Sequence, residues 1–173
     1  MSERIRILGI DPGSRLSGFG VLDFRDGDAA FVASGTIQSK DGEFAERLEL
    51  IFRSVAAIVS DYQPDVVAIE TVFMHRNPSS ALKLGHARSA AICATFDAGV
   101  KVVEYSPREI KQAIVGTGAA TKEQIQHMIR AMLNLDGRLS PDAADALAVA
   151  VCHGHQRRMR ERLSDSVAMA GLR

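Results

Sequence analysis

This chain has no tryptophan, two tyrosines and two cysteines in 173 residues. Cys93 and Cys152 lie far apart inside predicted helices, so neither a disulfide framework nor a zinc signature is available. No apolar run is long and uninterrupted enough to span a bilayer. The opening "MSERIRILGID" is charged and lacks a small-residue cleavage site, so no secretory leader is expected and a cytoplasmic location is. Neither sign of charge is in excess, with 21 basic and 21 acidic residues. A balance of zero neither favours nor excludes nucleic acid, because distribution decides.

The distribution is uneven. From Thr71 to Phe96 there is no acidic residue, while Arg76, Lys83 and Arg88 are present with His75 and His86. From Gln156 onward Arg157, Arg158, Arg160, Arg162 and Arg173 meet only Glu161 and Asp165. The remaining composition, 46% apolar, suits one domain with a substantial core.

Patterning gives the order of elements. "IRILGID" (5–11), "GFGVLDF" (18–24) and "AAFVASGTI" (29–37) read as strands, with Asp26-Gly27 as a hairpin turn between the last two. Helical spacing follows over about 43–61, then a short strand, "PDVVAIE" (64–70), an Ala-rich helix over about 78–98, and the strand "KVVEYS" (101–106). Ser106-Pro107 and Ser140-Pro141 each place a capping residue before a proline at a helix start, and Thr121 with Gln124 forms a capping box. This order predicts an α/β layer architecture: a mixed central sheet, three antiparallel strands first, helices on both faces. Residues 1–156 form one domain, and 157–173 a basic, mobile tail.

Four carboxylates occupy telling places. Asp11 ends an apolar strand before Pro12-Gly13, where a turn aspartate bonding its own backbone is the plain explanation. Glu70 ends "VVAIE" and is followed by apolar residues rather than a polar turn. Asp142 lies in the first turn of a helix, where the macrodipole favours negative charge. Asp145 is a full turn in, among Ala and Val, with no Lys or Arg three or four positions away. Acids from two strand ends and one helix can converge at one sheet edge. Crowded carboxylates repel and raise one another's pKa values. Hard divalent cations remove that penalty, and an all-oxygen donor set favours magnesium or manganese over zinc.

The segments "ILGIDPGSRLSGFGVLD", "AIETVFMHRNPSSALKLGHAR", "EYSPREIKQAIVGTGAATKEQIQHM" and "SPDAADALAVAVCH" resemble the RuvC family of bacterial Holliday-junction resolvases over about residues 5–155. The resemblance implies a ribonuclease-H-like fold, a homodimer, cooperation with the RuvA–RuvB branch-migration complex, and magnesium-dependent paired nicking of a four-way DNA junction. Two Mg2+ ions per centre, replaceable by Mn2+, would leave a 5′ phosphate and a 3′ hydroxyl. Motif by motif, the family's catalytic, metal-binding acids fall on Asp11, Glu70, Asp142 and Asp145. The base-stacking aromatic falls on Phe73, and DNA contacts fall on Lys111 and Lys122, joined by Arg76 and Lys83 from the acid-free stretch. Thr71, His86 and Ser89 depart from the commonest family pattern, and none is a metal ligand.

The small residues Gly85, Ala87, Ser89, Ala90 and Ala94 suit close packing against a symmetry mate. Two other readings compete. "GIDPGSRLSGFG" also resembles the phosphate loop of actin-like ATPases and sugar kinases, which need two such halves around a nucleotide. A non-catalytic junction binder is the other, against which an intact acid quartet argues.

Overall fold

The structure, a computed structural model, describes residues 3–72 and 77–170. Phe73 and Arg76 lie outside the described residues, so their expected DNA contacts are not placed. In chain order the elements are β1 (Ile5–Asp11), β2 (Leu16–Arg25), β3 (Asp28–Gln38), α1 (Phe44–Tyr62), β4 (Val66–Glu70), α2 (Pro78–Cys93), β5 (Lys101–Tyr105), α3 (Pro107–Val115), α4 (Lys122–Met132) and α5 (Pro141–Ala170). The strands form one sheet in the order β3-β2-β1-β4-β5. β1 pairs antiparallel with β2, and β2 with β3, while β1–β4 and β4–β5 are parallel. This is the mixed sheet that the patterning predicts.

Local chemistry explains most boundaries. Asp26 and Gly27 turn the β2–β3 hairpin with φ of 54° and 102°, the paired positive values such a turn requires. Ser106 with Glu109, and Thr121 with Gln124, close reciprocal capping boxes on α3 and α4. Two boundaries differ from expectation. Helix α2 stops at Cys93 rather than near 98, because the amide and hydroxyl of Thr95 both donate to the carbonyl of Ile92 and tighten the last turn. Helix α5 does not end near 156, where the charged stretch begins, but continues to Ala170. No proline or glycine interrupts it after Gly154, and an Arg157–Glu161 pair at 2.6 Å spans one turn. Arg158 packs against the hairpin turn so closely that a Cβ on Gly27 would meet its guanidinium at 1.1 Å. Among the described residues, no helix is long and apolar enough to cross a membrane.

Side chains alternate across the sheet, and this sets the site. On one face Ile7, Leu22, Val66 and Ala68 pack with α3, α4 and α5. On the other, Leu8, Ile10, Val67 and Ile69 pack with α1 and α2. Continuing the alternation, Asp11 and Glu70 belong to the α5 face. That face of β1 and β2 carries Gly9, Gly18 and Gly20, a shallow trough into which α5 settles. A Cβ on Gly9 would lie 2.1 Å from the carbonyl oxygen of Ala146, and one on Gly18 would lie 1.9 Å from that of Asp142. The backbone of α5 therefore rests almost directly on the backbone of the sheet.

Candidate functional site

Register brings the strand-end acids side by side. Ile10 pairs with Ile69 across the parallel β1–β4 ladder, and Asp11 and Glu70 follow immediately. The turn after Asp11 is pinned. The Gly13 amide donates to Ser17 Oγ at 3.0 Å, and the same hydroxyl donates to the Gly13 carbonyl at 2.9 Å. Arg47 of α1 reaches under it, donating through Nε to the Ser39 carbonyl at 2.7 Å and through Nη2 to the Ser14 carbonyl. After Glu70, the Thr71 amide donates to the Tyr105 carbonyl at 2.8 Å. On the helix, Ser140 Oγ accepts from the Ala143 amide at 3.3 Å and helps set the first turn, which carries Asp142. Asp145 follows three residues later, and Gly18, the partner of Asp11 in the β1–β2 ladder, lies against the Asp142 carbonyl.

The acids respond to one another. Burial, then the charges of Glu70 and Asp145, push Asp11 up to about 8. Burial and the charge of Asp145 push Glu70 up to about 7, opposed by Lys122 and Lys111. Burial raises Asp145 as well, against the pull of Lys122. Asp142 adds its charge to both Asp11 and Asp145. The four acids thus form one electrostatic unit.

The structure answers the isolation of Asp145 with a residue distant in sequence. Lys122, the first residue of α4, places Nζ 2.6 Å from Asp145 Oδ2, an ion pair in which the aspartate is 18% exposed. Glu70, Lys111, Lys122 and Asp145 line one cavity, floored by Ile110, Ile125 and Ala148. Lys83 is exposed on α2 and does not line this cavity. Sequence spacing missed the Lys122–Asp145 pair, because it joins two helices and no local pattern announces it. It also missed Arg47, and Arg88, whose Nε donates to the Glu70 carbonyl at 3.3 Å.

The donor set suits a hard divalent cation. It is all carboxylate oxygen, and three of its members, Asp11, Glu70 and Asp145, carry raised pKa values that a cation would bring down. Among the described residues, no three such groups stand close enough together to enclose an ion. The carboxylates are gathered by the fold without being closed into a cage.

A mixed sheet with helices on both faces and acids at the ends of its central parallel strands is the layout of a ribonuclease-H-like nuclease. The sequence comparisons narrow that class. The family described as crossover junction endodeoxyribonuclease RuvC matches residues 7–153, and the chain belongs to it. A RuvC of Psychromonas ingrahamii is 53% identical over 149 residues, 86% of each chain. A solved Thermus thermophilus RuvC in complex with Holliday junction substrate superposes with a TM-score of 0.83 at 34% identity, covering 90% of this chain and 96% of that one. The yeast mitochondrial Holliday junction resolvase Ydc2 shares the fold, with a TM-score of 0.70 at 11% identity, over 95% of this chain and 85% of that one.

Proposed function

We propose that this chain acts as a homodimer that resolves four-way DNA junctions by paired, symmetric nicks, with Mg2+ as its ion. The observation that carries this reading is the coupling of Asp11, Glu70, Asp142 and Asp145 across the junction of sheet and helix α5. These four would hold two ions, for which Mn2+ substitutes. Such ions supply an activated water and stabilise the attacking and leaving oxygens of phosphodiester cleavage. Asp11 suits the shared position, since it feels the charge of each of the other three. Glu70 would serve one ion, Asp145 with Asp142 the other.

Lys111 and Lys122 present ammonium groups beside the acids and would meet the DNA backbone there. Lys83 and Arg76 would add phosphate contacts, and Phe73 would stack on an unpaired base, worth roughly 1–3 kcal/mol. Work alongside RuvA–RuvB and a cytoplasmic setting complete the reading.

The dimer surface is revised from the small-residue set. Ala87 and Ala94 are buried in the α1 and α2 core, and Ala90 packs partly against it. Leu82, His86, Ser89, Cys93 and Phe96 face outward, with Leu82 64% and Phe96 65% exposed. That stripe is the surface on which a second copy would sit, across a two-fold axis.

The decisive assay compares a synthetic four-way junction with a linear duplex and a flap in Mg2+. Symmetric nicks on the junction alone, leaving 5′ phosphates and 3′ hydroxyls, are expected. Binding without nicking would favour the non-catalytic reading, and nucleotide-dependent thermal protection the kinase-like one. Junction affinity should fall steeply with salt, since lysine–phosphate contacts release counterions. Lys111→Ala should flatten that slope by about one.

A further inference from the structure

Arg88, the only arginine of α2, points inward: its side chain is 18% exposed. Burying a guanidinium is costly unless its donors are used. One of them is directed at the backbone of the centre described above, and another at the strand beside it. Nε donates to the carbonyl of Glu70 at 3.3 Å. Nη2 lies 2.5 Å from Glu104 Oε1 on the neighbouring strand β5. Nη2 is shielded from solvent and, although close enough to ion-pair, is not aligned for a hydrogen bond with any described residue. An apolar side chain could fill this space at lower cost.

Its contacts fall where β4 runs out. Thr71 is tied to β5 through the Tyr105 carbonyl, by its amide at 2.8 Å and its hydroxyl at 3.3 Å. Arg88 takes the carbonyl on the other side of the same peptide link, so the plane leaving Glu70 is held from two directions. With the β4–β5 ladder holding the backbone up to Glu70, fixing that plane limits rotation about Cα–C and so sets the direction in which the Glu70 side chain leaves the strand. We infer that Arg88 is a positioning residue for Glu70, a strut that joins β4, β5 and α2 and sets the geometry of the cation site from behind. This rests on the reading of Glu70 as a cation ligand. A lysine only partly replaces the fork, because its donors share one nitrogen, whereas Arg88 meets the carbonyl and the carboxylate with two separate nitrogens held in one rigid plane. Helix α2 also presents the outward stripe from Leu82 to Cys93, so the strut ties the proposed dimer surface to the centre.

The test uses the full chain with Arg88→Met, Arg88→Lys and Glu104→Gln, and Glu70→Gln as reference. Nicking of a four-way junction is titrated with Mg2+, and binding to the same junction is measured in Ca2+. Arg88→Met should raise the Mg2+ midpoint about tenfold and lower the saturated rate roughly 10- to 100-fold, since an ångström of misplacement costs that much. Junction affinity should stay within about twofold, because no phosphate contact is touched. Arg88→Lys should recover only part of the loss. Glu104→Gln should shift the midpoint in the same direction by less, and add little to Arg88→Met in the double variant. Should Arg88→Met fail to fold, the half-exposed Glu104→Gln decides the matter alone. An unmoved Mg2+ midpoint in these variants, with Glu70→Gln inactive, would overturn the strut and leave the role of Glu70 standing. Normal nicking by Glu70→Gln would remove both.

Discussion

Replacing Asp11 with asparagine should stabilise the chelated protein at pH 8 while abolishing junction nicking. Burial and the charges of Glu70 and Asp145 hold Asp11 up to about 8, and Glu70 up to about 7. The folded chain therefore retains protons that the unfolded chain releases near pH 4. That contribution to stability is fully present below about pH 4 and drains away progressively from there until pH has passed 7 and 8. Buried His153, pushed down to about 4, acts in the opposite sense only below its ordinary 6.5, so pH 6.5 to 8 is the window to examine. The asparagine keeps the shape and never ionises. It should recover on the order of 3 kcal/mol at pH 8, a rise of roughly 5–10 °C in Tm. Mg2+ or Mn2+ should raise the Tm of the natural chain strongly and that of Asp11→Asn little. Calorimetry with chelator and with added ion, at pH 6.5 and 8, checks both parts. A variant less stable than the parent at pH 8 would show that Asp11 braces the fold and carries no buried charge penalty.

Gly18→Ala should be a severely damaging single-methyl substitution at the site. Its Cβ would stand 1.9 Å from the Asp142 carbonyl oxygen and 2.5 Å from that carbonyl's carbon. No side chain can swing aside, because the obstacle is the backbone of α5. Overpacking of this kind costs typically 1–3 kcal/mol, and more where backbone must move. The larger effect falls on catalysis. Relief comes by lifting the first turn of α5, which draws Asp142 and Asp145 away from Asp11 and Glu70. We expect nicking to drop at least about 100-fold in a protein that still folds. Gly85→Ala is the control for packing within the chain, since nothing lies within 4 Å of its Cβ position, and its oligomeric state is checked beside it because Gly85 borders the outward stripe of α2. Equal loss from both substitutions would sink the argument.

Periodicity and turn chemistry carried most of the fold into view. Alternation in "ILGID" and "VVAIE" marked the central strands, and Ser-Pro and Thr-x-x-Gln marked helix starts that the structure places at Pro107, Lys122 and Pro141. Glu70 and Asp145 stood out because each sits among apolar neighbours, while Asp11 and Asp142 had ordinary turn and helix-start explanations and gained weight only in company with the other two. What stayed hidden was relational. Lys122 meets Asp145 only because α4 and α5 pack together, and that partnership leaves no trace in either helix's own pattern. The arginine-rich stretch after Gln156 looked unlike a buried helix because its outer faces are charged; it is α5 continued, with Arg158 seated on the hairpin turn at Gly27. The inward course of Ala87 and Ala94 likewise depended on where α1 lies.

Helix α5 has thirty residues, about 45 Å at the usual rise, and the two acids occupy its first turns. Its remote end is thus a handle on the acidic centre: a fusion tag, fluorophore or bound neighbour near residue 160 would pull on the same stiff rod that carries half the carboxylates. For anyone labelling this protein, the C-terminal side is mechanically close to the chemistry, however distant it looks along the chain.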